Sequence, residues 1–126
     1  LDCGAYDLGG TPSMLAATPD TLILTRDWID GLLELGLAGL DLNQRRHPRL
    51  SPAFADLDDF PPTLFTVGQL DPLRDDSVLL ATRLHLSGRD VELDVWPHAA
   101  HAFTNMATPL GDIALQRTIS WLNGRG

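Results

Sequence analysis

"TLFTVGQLDPLRDDS", residues 63–77, decides the fold. Its first six residues form a short apolar run rich in β-formers, the composition of a strand buried on both faces. Asp71-Pro72 then stops that strand. Asp75 and Asp76 are the acids favoured in the first turn of a following helix. The helix is expected over 76–87, with Leu80, Leu84 and Ser87 on one side and Gly88 as terminator. "VELDVW", 91–96, alternates apolar and polar residues, as a strand near a sheet edge does.

The flanking sequence extends this alternation. On the N-terminal side, Leu1 to Tyr6 reads as a strand closed by Asp7 and Gly9-Gly10, and residues 11–20 as a loop. A helix is expected from Leu24 to Leu40, with Trp28, Leu32, Leu35 and Leu40 near one face and Asp27, Asp30 and Glu34 at polar positions. Residues 41–60 read as a connection. On the C-terminal side, Thr108 is an N-cap with Pro109 at the first helical position and Asp112 near the positive end of the dipole. The face Leu115, Ile119 and Leu122, with Trp121 beside it, is expected to dock on the sheet. Three strands alternating with three main helices predict an α/β fold with a parallel sheet, residues 1–126 forming part of one domain. Three strands make a poor free-standing sheet of this type.

Composition excludes several functions. The net charge is −8, and all nine basic residues are arginines, so nothing resembles the clustered Lys/Arg surface that binds nucleic acid. The one basic cluster, Arg45-Arg46-His47-Pro48-Arg49, reads as a solvated loop. The single cysteine, Cys3, excludes an internal disulfide and a thiolate metal cluster. Its apolar context reads as a packed, inert thiol, and a reducing, cytoplasmic setting fits. No apolar run reaches the ~20 residues of a membrane span, and "GLLELGLAGL" is interrupted by Glu34. The N-terminus shows no basic segment followed by an apolar one. It opens without Met, as if already inside a strand, so the strand is expected to begin outside this sequence.

In an open parallel sheet, ligands and reacting groups collect beyond the carboxyl ends of the strands. Two such ends carry ionisable side chains here: Asp71, and the loop "WPHAAHAF" at 96–103. If the strands are neighbours, an Asp71 carboxylate accepts a hydrogen bond from an imidazole, fixes its tautomer and stabilises its protonated form. Asp-Pro is also a common turn starter, and a loop histidine is commonly a packing or surface residue. Spacing alone leaves His98 and His101 both open.

The stretch "GQLDPLRDDSVLLATRLHLSGRDVELDVWPHAAHAF" resembles the C-terminal signature of α/β-hydrolases of the hormone-sensitive-lipase-like family of esterases and lipases. "CGAYDL", "LTRDWID" and "LSP" extend the resemblance over nearly the whole chain. By this resemblance Asp71 is the triad acid and His101 the triad base, and no metal or organic cofactor is implied. His98 and Ala102 stand where the family usually has glycine, departures that bear on the loop's backbone and its fit to substrate. The family's serine lies in a G-x-S-x-G elbow, followed along the chain by the acid and then the histidine, with an HGGG-type loop for the oxyanion. Ser13, Ser51, Ser77, Ser87 and Ser120 all lack that glycine frame, and no HGG run is present. The resemblance therefore implies the C-terminal portion of a serine carboxylesterase for small to medium acyl esters, inactive alone. Its partners would be the ester substrate and the N-terminal portion of the fold, with a second copy of the chain admitted by an exposed strand edge. A non-catalytic receptor or interaction module on the same fold is the alternative.

Overall fold

The computed structural model describes residues 1–125. At its centre is β1, Thr63–Gly68, every residue of which is buried. It pairs in parallel with β2, Val91–Trp96, in a register that sets Thr63 against Val91 and Gly68 against Trp96. The two carboxyl ends are therefore level. β2 is half-exposed along most of its length, as its alternating sequence predicts for an edge.

The expected first strand, Leu1 to Tyr6, is reduced to a single parallel bridge between Asp2 and Thr66, so the regular sheet has two strands and not three. Two causes end it, one local and one long-range. Cys3 adopts a left-handed backbone (φ 37), which no extended strand continues through. Beyond it, the Tyr6 and Asp7 amides turn away from the sheet and donate to Oδ1 of Asp76, at 2.7 and 2.8 Å.

Four helices precede or join the strands: α1 (Pro12–Leu15), α2 (Arg26–Leu37), α3 (Leu42–Arg45) and α4 (Arg74–Leu86). The last, α5 (Pro109–Asn123), follows β2. The principal core forms where α4 crosses the sheet: Leu80, Ala81 and Leu84 pack with Phe65, Tyr6 and Leu57. Gly88 (φ 72) follows α4 as expected. In α5, Thr108 caps the helix by accepting from the Gly111 amide at 3.1 Å, and Pro109 stands at its first position. Glu92 of β2 ties α5 down by accepting from Trp121 Nε1 at 2.7 Å and pairing with Arg117.

The apolar faces of two helices differ from expectation. In α2 the packed stripe is Ile29, Leu33 and Leu37, a strict i, i+4, i+8 ladder, while Trp28 and Leu32 are more than half exposed and Leu35 is 87% exposed. In α5 the buried positions are Gly111 and Ala114, and the expected face of Leu115, Ile119 and Leu122 is exposed. Small residues win there because the helix start lies against backbone: a Cβ on Gly111 would meet the Met106 carbonyl oxygen at 2.6 Å. The basic cluster is spent on structure, with Arg46 Nη2 folded back 2.9 Å from the buried Asp7 carboxylate.

Candidate active site

The level ends of β1 and β2 run into two loops that are stitched together. Gln69 donates its amide to the Trp96 carbonyl at 2.8 Å, and Leu70 donates to Ala99 at 2.9 Å. The Gln69 side chain accepts from the His98 amide at 3.1 Å. This contact is close because position 68 has no side chain: a Cβ there would meet the carbonyl oxygens of Ala99 and Ala100 at 2.3 and 2.6 Å. Gly68 thus lets the second loop lie across the end of β1.

That crossing brings His101 onto Asp71. The imidazole Nδ1 lies 3.1 Å from both carboxylate oxygens. Asp71 is 2% exposed, and the His101 ring is largely buried beside it. Asp71 also accepts from the Leu73 amide at 2.8 Å, so it starts the turn and faces the imidazole at once. His98 is exposed and carries no contact to Asp71 among the hydrogen bonds of the described residues. None of the five serines hydrogen-bonds to His101 among the described residues; Ser13, for example, donates to the Pro72 carbonyl and accepts from the Asp75 amide.

His98 and Ala102, the two positions that depart from glycine, both have left-handed backbones (φ 58 and 53). The loop therefore keeps a glycine-type path with side chains in place, at a steric cost. Ala102→Gly is expected to stabilise the chain by about 0.5–1 kcal/mol, the relief of strain exceeding the added unfolded-state entropy. An upward shift in urea midpoint at constant slope checks this, and an unchanged or lower midpoint contradicts it.

The hydrogen bond to Asp71, followed by the proximity of Cys3, pushes the His101 pKa up to about 10, while burial opposes the shift. The folded value stands above the ordinary 6.5, so the pair's contribution to stability is fully present below about pH 6.5. It is lost as pH rises through about 10. The stability difference between the wild-type chain and Asp71→Asn should therefore be larger at about pH 6.5 than at alkaline pH, shrinking as pH rises towards about 10. NMR titration of the His101 ring in both proteins, beside urea midpoints, measures it; a His101 pKa near 6.5 in the wild type would refute the coupling.

Two features of this region were not legible in the sequence. Cys3 is not packed away: it is half-buried, with its sulfur beside His101 and Asp71. Asp75 and Asp76 do stand in the first turn of α4, but they also fasten residues 6–13 to it. Asp75 accepts from the Ser13 amide at 2.9 Å, and the fully buried Asp76 accepts from Tyr6, Asp7 and the Thr11 hydroxyl. No sequence periodicity links positions some 70 residues apart, and no signal marked Cys3. No helix among the described residues is long and apolar enough to cross a membrane.

This arrangement has close counterparts among known proteins. The profile of the alpha/beta hydrolase fold family matches residues 3–105. An esterase of Pyrobaculum calidifontis superposes with a TM-score of 0.85 at 28% identity, over 95% of this chain and 40% of that protein. A hormone-sensitive lipase from a metagenome library gives 0.84 at 30% identity, over 96% of this chain and 42% of its own. A Streptomyces hygroscopicus protein named acetyl-hydrolase is 38% identical over 72 residues, 57% of this chain and 23% of that protein. The chain thus spans well under half the length of these relatives. With the level strand ends, the stitched loops and the match across residues 3–105, the chain belongs to the alpha/beta hydrolase fold family.

Proposed function

We propose that Asp71 and His101 are the acid and base of a Ser-His-Asp triad in a carboxylesterase for small to medium acyl esters. The observation that carries this reading is the Nδ1–carboxylate contact at the level ends of two paired parallel strands. The nucleophile is supplied from outside residues 1–126, because no serine of this sequence sits in a glycine elbow and none hydrogen-bonds to His101 among the described residues. In the reaction the serine Oγ attacks the ester carbonyl as His101 Nε2 takes its proton. The tetrahedral intermediate collapses to an acyl-enzyme as His101 returns that proton to the departing alcohol. Water then repeats the sequence and releases the acid. Asp71 orients the ring through Nδ1 and stabilises its charge throughout.

A base must be neutral before it acts, and His101 beside Asp71 holds its proton at neutral pH. Covering the ring with further protein lowers its pKa towards the working range, since burial already opposes protonation here. The preference for short acyl groups draws on the esterase and acetyl-hydrolase relatives.

The test joins this chain to the nucleophile-bearing segment of a solved relative and follows p-nitrophenyl acetate and butyrate. The joined protein should turn over, and the 126-residue chain alone should not, because its sequence holds neither a G-x-S-x-G serine nor an HGGG-type oxyanion loop. Hydrolysis by the isolated chain that disappears in His101→Ala would overturn this reading. So would a joined protein that is folded, binds esters and hydrolyses none, the behaviour of a receptor on this fold.

A further inference from the structure

We propose that Cys3, Asp71 and His101 form a binding site for a soft divalent cation of the zinc type. One atom from each, the Cys3 sulfur, a carboxylate oxygen and a ring nitrogen, lie within 4.8 Å of one another. Around a tetrahedral zinc ion, with bonds of about 2.0–2.3 Å, ligand atoms stand about 3.3–3.7 Å apart. A contraction of roughly 1–1.5 Å at most therefore closes the triangle, well within rotamer adjustment of a thiol and an imidazole. Sulfur, nitrogen and oxygen together select zinc, cobalt or cadmium over magnesium and calcium, which take oxygen alone. Three ligands leave a fourth position open to water.

The three groups are held by anchors that do not involve one another. Cys3 is fixed by its amide, which donates to the Thr66 carbonyl at 3.2 Å. Asp71 is fixed by the Leu73 amide, and His101 by a loop seated on Gly68. At neutral pH binding exchanges two protons for the metal: the Cys3 S–H bond and one N–H bond of the charged His101 ring break, S–metal and N–metal bonds form, and both protons enter solvent, leaving the ring neutral. The ring nitrogen and the carboxylate become ligands in place of partners in a hydrogen bond. On the triad reading, the ion thereby withdraws both acid and base and inhibits turnover. That consequence rests on the proposed function; the binding itself does not.

Cobalt(II) chloride titrated into the reduced 126-residue chain tests the site directly. Cys3 is the only cysteine, so a sulfur-to-cobalt charge-transfer band in the near ultraviolet reports it alone. The band should saturate at one cobalt per chain, bleach on adding equimolar zinc, and be absent in Cys3→Ser. His101→Ala should weaken cobalt affinity by at least about tenfold, as loss of one chelating ligand does. His101→Asn serves as a second variant if the first fails to fold by circular dichroism. His47→Ala, an exposed histidine away from the cluster, should leave the titration unchanged. No band at millimolar cobalt, or a band indifferent to both His101 variants, would overturn the site. The readout is spectroscopic, so a joined protein without esterase activity sinks the triad reading and leaves this proposal standing or falling on the band.

Discussion

Asp76→Ala should destabilise the chain by about 3–5 kcal/mol, whereas Asp76→Asn should cost about 1 kcal/mol or less. Asp76 is fully buried and accepts three hydrogen bonds: the Tyr6 and Asp7 amides on Oδ1 at 2.7 and 2.8 Å, and the Thr11 hydroxyl on Oδ2 at 2.6 Å. Alanine orphans two buried backbone donors at once, each worth about 1–3 kcal/mol when left unsatisfied, and opens a void besides. Asparagine keeps an oxygen for both amides, and its NH2 group donates to Thr11 Oγ1, which turns from donor to acceptor. Burial also raises the Asp76 pKa, outweighing the three donors that lower it. The charged form is thus disfavoured by folding, and this group's contribution is greatest below the ordinary 3.8 and lost as pH rises through its folded value. A neutral amide escapes that penalty. Urea unfolding of the two variants decides the matter: equal destabilisation by Ala and Asn would show that charge, and not the acceptor set, holds residues 6–13 to α4.

In the joined protein, Asp71→Asn should lower kcat by about 10³–10⁴, with KM little changed and the fold intact. The amide fills the same volume and can still accept from the Leu73 amide, so the turn survives. What it removes is the negative charge facing His101 Nδ1 from 3.1 Å, which both selects the tautomer with a free Nε2 lone pair and stabilises the imidazolium. His101→Ala removes the base itself and should cost a similar factor, and the double variant little more, because the residues act as one unit. Losses that multiplied would mean that the two side chains serve separate steps. Steady-state kinetics on p-nitrophenyl butyrate with the three variants distinguishes these outcomes.

The elements legible in the sequence are those whose cause is local. β1 and β2 follow from their own apolar patterns, α4 from its acidic first turn and Gly88, and α5 from Thr108-Pro109. The faces of α2 and α5 were harder to read because both helices carry apolar residues on several sides. Trp28, Ile29, Leu32, Leu33, Leu35 and Leu37 surround α2, and the packing of Met14 and Leu73 against Ile29 and Leu33 selects that side. The first strand failed for a long-range reason, since the Tyr6 and Asp7 amides answer to a carboxylate 70 and 69 residues away. At the site, the level strand ends were foreseeable but the choice between His98 and His101 was not open to spacing. The resemblance singled out His101, and in the structure that is the ring set against Asp71. Cys3 entered through backbone geometry alone, the left-handed turn that ends its bridge to β1.

The bare Cα of Gly68 also governs how variants of this protein would survive selection. Any side chain at that position must displace the Ala99 and Ala100 carbonyls, which lie 2.3 and 2.6 Å from where its first carbon would stand. The same displacement breaks the Leu70–Ala99 bond and moves His101 away from Asp71. Foldedness and acid–base pairing are therefore lost together at one codon. A library sorted only for soluble, folded protein would, at position 68, retain the pair without a substrate ever being offered.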